Sequence, residues 1–164
     1  MRNIDVWFPV SEVQGLIKSG GLADVAKALP KALQELGKDV AITLPGYQKL
    51  PNKDQYEFVL ATELEHWPHT PYQVKKTHLD GVEVYVIECD RYFDRPELYA
   101  EHNRAYADNG ERFGFFAAAS LDVLPKLGIK LQLFTRMIGT QVLSHSCLRL
   151  VTLKMSVFMV LSQY

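Results

Sequence analysis

The residues Ile4-Asp5-Val6-Trp7-Phe8-Pro9-Val10 form an apolar run, and Leu22, Val25, Ala26, Leu29, Leu33 and Leu36 follow at the spacing of one helical face. Between them lies Lys18-Ser19-Gly20-Gly21-Leu22-Ala23-Asp24, so the order is strand, glycine loop, helix. Gly37 ends the helix, and Asp39-Val40-Ala41-Ile42-Thr43-Leu44-Pro45 is a compact apolar run closed by proline. Strand, helix and strand in about forty residues make the crossover unit of a parallel α/β sheet. Pro30 removes one backbone donor and is expected to bend or divide the helix near Leu29.

Two adjacent glycines let a backbone approach a ligand closely, and the amides that open a helix carry partial positive charge that favours an anion such as phosphate. Lys18 adds a full charge beside that opening. On these residues alone, a plain glycine turn joining strand to helix explains the pattern equally well. Gly46-Tyr47 begins a loop where the second strand ends. Open α/β sheets bind ligands at the carboxyl ends of their strands, so this loop and the glycine loop should share a rim.

From Tyr56 the pattern changes: Phe58-Val59-Leu60, Tyr72 to Leu79 and Val82 to Glu88 read as strands. Asp80-Gly81 between the last two predicts a tight hairpin, whose central residues need positive φ. His66, Trp67, Pro68 and His69 fall in the preceding connection; no acidic or cysteine partner completes a metal set, which leaves a solvated loop. Asp90 to Pro96 and Tyr99 to Asn109 make a long polar, aromatic connection of the kind that binds ligands. A helix follows, with Asp108 or Asn109 as cap and Phe113, Phe116, Ala117, Leu121 and Leu124 as its buried stripe. Arg112 reads as a surface charge or a partner of Asp108, and Tyr106 as a pocket residue or a half-buried anchor of its loop.

With 164 residues the chain suits one domain, and could be half of a larger enzyme. The balance of 18 basic against 19 acidic residues, with no basic run, gives no reason to expect nucleic acid or an anionic membrane as partner. Cys89 and Cys147 are too few and too far apart for a disulfide framework or a zinc site. No signal arrangement opens the chain and no apolar stretch is long enough to span a bilayer, so the sequence reads as a cytoplasmic protein. Neither metal nor cofactor is expected, and oligomeric state is left open.

Five motifs, in order, resemble the N-terminal domain of bacterial glycogen synthase and plant starch synthase. They are Lys18-Ser19-Gly20-Gly21-Leu22-Ala23-Asp24-Val25, Leu29-Pro30, Leu44-Pro45-Gly46-Tyr47, Tyr92-Phe93-Asp94-Arg95 and Tyr106-Ala107-Asp108-Asn109-x-x-Arg112-Phe113. The resemblance covers residues 4–130. A dinucleotide oxidoreductase is disfavoured, since no G-x-G-x-x-G follows the first strand. The resemblance implies an α/β fold: a partial Rossmann-like N-terminal domain of a GT-B glycosyltransferase, with a β-hairpin insertion. It implies a retaining transfer of glucose from ADP-glucose to the non-reducing end of an α-1,4-glucan such as glycogen, between two Rossmann-like domains that close over the donor. By the same resemblance Lys18 lies at the sugar nucleotide, and Gly20 and Gly21 against its phosphate and glucose. Asp24, Tyr106 and Asn109 would lie near the donor or acceptor pocket, with Arg112 supporting that loop. Donors already aimed at the departing ADP would stabilise its developing charge.

A compositional break follows Lys130: all 19 acidic residues and all eight prolines precede it. Residues 131–164 are apolar and Ser/Thr-rich, charged only at Arg136, Arg149 and Lys154. The family continues with a histidine-bearing strand and an Asp-Trp-His loop, where this chain has Leu131 to Thr140. Read one base out of phase, codons for Arg136-Met137-Ile138-Gly139-Thr140 permit Asn-Asp-Trp-His, and the same phase stays compatible with the family as far as Thr152. Residues 1–130 are therefore read as an incomplete starch-synthase N-terminal domain, and 131–164 as an out-of-frame tail ending at a chance stop. No catalytic residue is then retained in frame, the parallel sheet loses its continuation, and folding is expected to be marginal. A non-catalytic remnant, or a weak binder of sugar nucleotide or glucan, is the alternative to an enzyme.

Overall fold

The computed structural model describes residues 2–65, 67 and 69–134. The reading of 131–164 as an out-of-frame tail falls, from residue 135 on, outside the described residues, as do the Asn-Asp-Trp-His phase within it and the question of His66 as a ligand. In chain order the described elements are β1 (Arg2–Pro9), α1 (Leu22–Glu35), β2 (Val40–Pro45), β3 (Glu57–Glu63), β4 (Pro71–Leu79), β5 (Val82–Glu88), α2 (Asp90–Phe93), β6 (Ala100–Glu101), β7 (Arg104–Ala105), α3 (Asn109–Lys126) and β8 (Ile129–Phe134).

β1 and β2 pair in parallel with Val6 opposite Val40, and α1 makes the crossover between them, as the sequence predicts. Every residue of β2 is buried, because a parallel strand has both faces covered and so reads as a continuous apolar run. The sheet order is β3-β4-β5-β2-β1-β8, with β5, β2, β1 and β8 parallel. The hairpin turns on Asp80 and Gly81, at φ 50° and 86°, the positive pair its turn type requires. It is built into the sheet: β5 is one of the parallel strands, and β4 and β3 extend it antiparallel.

The expected loss of the sheet's continuation is not what the structure has. Strand β8 runs across the break at Lys130 and lies beside β1, with Ile4 opposite Leu131 and Trp7 opposite Phe134. From β1 the chain crosses to β2 in one direction, and from β5 it returns past both to β8 in the other. Right-handed crossovers in opposite directions put α1 and α3 on opposite faces. The order therefore reverses beside β1, and the crevice beyond its carboxyl end is where such sheets take ligands.

Helix α1 is continuous through Pro30, and one missing donor does not divide it. Gly37, at φ 77°, stops it: Lys38 N–H reaches Leu33 O at 3.0 Å and Gly37 N–H reaches Gln34 O at 2.8 Å, the paired closure that favours glycine. The buried face of α1 shares Ala26 with the predicted one and otherwise differs from it. Ala23, Ala26 and Pro30 pack on the sheet, while Val25, Leu29 and Leu36 are 46%, 38% and 77% exposed. Small residues let the helix lie close, and they rotate the larger ones outward.

Helix α3 buries more than a stripe: Arg112, Phe115, Ala119, Ser120 and Val123 join Phe113, Phe116, Ala117 and Leu124, whereas Leu121 is only partly buried. Trp7 Nε1 donates to Ser120 O at 2.9 Å from the sheet side. From the hairpin side, Tyr72 Oη donates to Asp122 at 2.5 Å and the Lys126 ammonium reaches Thr62 Oγ1 at 2.8 Å. Trp67, predicted in a solvated loop, instead packs edge-on to Phe115 and donates to Tyr92 Oη at 2.9 Å. An indole buries too much apolar surface to remain in water when an aromatic neighbour is at hand.

Candidate functional site

The chain does not pass directly from β1 into the glycine loop. Val13 and Ile17 exchange hydrogen bonds of 3.0 Å around a turn held by Gly15 at φ 106°. A Cβ there would meet only the movable tip of Leu79, at 2.8 Å, so it is the positive φ that asks for glycine. This turn raises Lys18-Ser19-Gly20-Gly21 beyond the end of β1, and α1 starts immediately after it. Gly21 takes the cap position at φ −67°, ψ −17°, with no side-chain cap. A Cβ at Gly20 or Gly21 would meet nothing within 4 Å. The protein's own packing thus makes no demand for glycine at either position, and the space over both is open.

Lys18 Nζ lies 2.6 and 2.8 Å from the two carboxylate oxygens of Asp24, on the first turn of α1. Both side chains are close to half exposed, at 42% and 49%. An ion pair in that much water contributes under about 1 kcal/mol, so Lys18 exchanges partners readily. Behind the loop stands Glu12, 4% exposed, which the sequence reading passed over. Its Oε2 accepts from Ser19 N–H in a short contact, from Ser19 Oγ at 3.0 Å and from Gly20 N–H at 3.1 Å. The predicted amide cradle is therefore partly filled from within.

Tyr99 sits on the other side of that carboxylate. Its hydroxyl lies 2.8 Å from Ser11 Oγ and 3.3 Å from Glu12 Oε1. Burial, foremost, pushes the phenol up to about 12. Tyr99 O in turn accepts from Asn109 Nδ2 at 2.7 Å and from Tyr106 N–H at 3.0 Å. Asn109 Oδ1 accepts from Arg112 Nη1 at 2.8 Å. An unbroken chain of hydrogen bonds thus runs from the glycine loop through Glu12, Tyr99 and Asn109 to Arg112.

Arg112 is neither a surface charge nor a partner of Asp108. It is fully buried, and it donates to Tyr92 O at 2.7 Å and Leu98 O at 3.1 Å, holding the connection between β5 and α3 from beneath. Its guanidinium lies 5.6 Å from the Phe93 ring centre and 4.9 Å from that of Tyr106. Burial lowers its pKa from the usual arginine range. Asp108 pairs with Arg95 instead, and that hydrogen bond, foremost, holds its carboxyl below the ordinary value. Tyr106 stacks under both cations, with Arg95 at 4.8 Å. Of the predicted pocket residues, then, Lys18, Asp24, Gly20 and Gly21 share one exposed corner, whereas Tyr106 and Asn109 turn inward and reach that corner through Tyr99.

Gly46 and Tyr47, expected on the same rim, are drawn in as well. A Cβ on Gly46 would lie 2.6 Å from Glu88 Cγ, so only glycine lets β2 pass β5 here. The Tyr47 hydroxyl is wholly buried, and burial, together with the nearby Tyr99, pushes its pKa well up. The corner as a whole can hold an anion: one exchangeable ammonium, the N–H groups of Gly21 and Leu22 that have no acceptor inside the helix, and open room over two glycines.

Residues 5–136 match the family model described as the starch synthase catalytic domain. Among curated proteins, the chain is 68% identical over 130 residues to a glycogen synthase of Vibrio cholerae serotype O1, covering 79% of this chain and 27% of that protein. It is 64% identical over 129 residues to a glycogen synthase of Vibrio atlanticus, with the same coverage. Among solved structures, the catalytic domain of starch synthase IV from Arabidopsis thaliana, bound to ADP and acarbose, superposes with a TM-score of 0.64 at 27% identity. That match covers 82% of this chain and 28% of the other. The chain spans about a quarter of the length of the curated relatives it matches.

Proposed function

Because the chain belongs to the starch synthase catalytic-domain family, we propose that its exposed glycine-loop corner holds the diphosphate of ADP-glucose. The reaction served is glucosyl transfer to the non-reducing end of an α-1,4-glucan in glycogen biosynthesis. The observation that carries this is the open space over Gly20 and Gly21, where the fold itself would tolerate side chains, beside an ammonium paired only at the surface. Lys18 would leave Asp24 for the phosphate, and the N-terminus of α1 would favour the same charge. As ADP departs, these groups stabilise the charge that gathers on the leaving group without having to reorient. Asp24, released from Lys18, remains beside the donor. Tyr106 and Asn109 act from below, by fixing Tyr99. A cytoplasmic location accompanies this reading.

The non-catalytic alternative rests on the compositional break after Lys130. An assay of glucose incorporation from ADP-glucose into glycogen separates the two, with titration of ADP-glucose and UDP-glucose against the loop amides beside it. Binding with transfer supports the enzyme, and binding without transfer the remnant. Loop amides unmoved by either nucleotide sugar remove the donor reading.

We further propose that residues 1–130 are the family domain and 131–164 an out-of-frame continuation. The compositional break after Lys130 supports this, as do curated alignments of 130 and 129 residues. The family match to residue 136 and the pairing of β8 up to Phe134 weigh on the other side. Codons at Arg136 to Gly139 that cannot spell Asn-Asp-Trp-His would end the idea.

A further inference from the structure

We propose that Glu12 is the positioning residue of the glycine loop, a resident carboxylate that takes up the Ser19 and Gly20 amides and so fixes which face of the loop meets a ligand. What it implies for the ligand rests on the donor reading above; the anchoring itself does not.

Glu12 is 4% exposed, and its charge has no cation within ion-pair distance among the described residues. It is balanced by hydrogen-bond donors alone. On Oε2 these are Ser19 N–H, Ser19 Oγ and Gly20 N–H, and beside Oε1 lies the Tyr99 hydroxyl. Backbone amides converging on one anionic oxygen are the arrangement glycine loops offer to phosphates. Here the protein fills half of that arrangement itself. A buried carboxylate stripped of such donors is costly, and hydrogen bonds to a charged acceptor are stronger than those between neutral groups. Release of the loop would therefore strip Glu12 Oε2 of all three of its donors, which makes Glu12 a fixed anchor and not a placeholder that yields to substrate.

The consequence is directional. With Ser19 and Gly20 turned inward, the loop donors still free are the N–H groups of Gly21 and Leu22, at the start of α1 and on the side of Lys18 and Asp24. Removing the carboxylate frees the loop to rotate those amides, although nothing in contact with the ligand has been altered. The other end of the carboxylate, on Tyr99, ties this orientation to the connection that Arg112 holds.

The test is nuclear magnetic resonance on the full chain, isotopically labelled. In the free protein, scalar coupling across the hydrogen bonds should link the Ser19 and Gly20 amide nitrogens to the Glu12 carboxylate carbon. Those two amides should also exchange with solvent at least about tenfold more slowly than Gly21 and Leu22, and Glu12→Ala, which removes the acceptor, should abolish the difference while β4 and β5 keep their protection. Addition of ADP-glucose should shift Gly21 and Leu22 and leave the Glu12 couplings in place. Absent couplings, equal exchange at all these amides, or protection that survives Glu12→Ala overturns the proposal; so does loss of the couplings on saturation, which would make Glu12 a stand-in. The coupling measurement needs no variant and decides the matter even where Glu12→Ala fails to fold. Couplings present with no amide moved by ADP-glucose would leave the anchor standing and remove the donor reading.

Discussion

Gly21 and Asp108 illustrate two ways in which a single residue can matter here. Gly21 is in an ordinary helical conformation with open space where a Cβ would go. Gly21→Ala should leave stability within about 0.5 kcal/mol of the parent, yet weaken ADP-glucose binding by about tenfold or more; a denaturant melt and a titration measure the two separately. Asp108 belongs to stability instead. The Arg95 hydrogen bond keeps its carboxyl below the ordinary value, so the folded state gains from the ionised form. That gain is complete above the unfolded value of about 4 and disappears as pH falls through the lower folded value. Asp108→Asn should therefore be less stable at neutral pH and lose less on acidification, read from urea melts across the acid range. The sequence exposed the loop glycines and Lys18 because their types are unusual together. It gave no sign of Glu12, a lone acid in the mixed stretch Ser11-Glu12-Val13-Gln14, or of the burial of Arg112, two of whose partners are main-chain carbonyls that every residue possesses.

Among the elements, what local chemistry dictates was legible. Gly37 and the Asp80-Gly81 pair stand at positive φ where the sequence placed a helix end and a hairpin. What depends on a third body was not. Both the small-residue stripe and the large-residue stripe of α1 are apolar, and the choice between them is made by how closely the helix can approach the sheet. Ala26 is fully buried, so Ala26→Leu should cost about 1–3 kcal/mol. Leu29→Gln on the exposed stripe should cost less than about 0.5 kcal/mol. Urea midpoints that rank the two the other way would refute the observed facing. In β8, Ile129, Leu131 and Leu133 alternate with Lys130 and Gln132, the period of a strand, and the change of composition at Lys130 hid that alternation. The two-residue strands β6 and β7 are too short to leave any period in the sequence.

For the molecule as a whole, the buried phenols set an upper pH limit. Burial, foremost, raises Tyr47 and Tyr72, and pushes Tyr85, Tyr92 and Tyr99 up to about 12. Phenols in an unfolded chain ionise near about pH 10. The stability these groups confer is thus complete below that value and lost as pH rises through the folded values. The phenolate absorbance of these five should appear together with the loss of circular dichroism in one alkaline transition; their ionisation well ahead of unfolding would contradict it. The doubly covered parallel strands and the crossover were readable from β1 and β2, whereas the reversal beside β1 emerges only once β8 has found its neighbour. Glu12 and Tyr99 are 87 residues apart, and joining them closes most of the intervening polypeptide into one loop, a slow event in any search for the native state. The corner nearest the amino terminus consequently cannot mature until Tyr99 has joined it. During synthesis Lys18 leaves the ribosome long before its surroundings exist, and a nascent chain halted short of Tyr99 would carry the glycine motif without the shape that makes it useful.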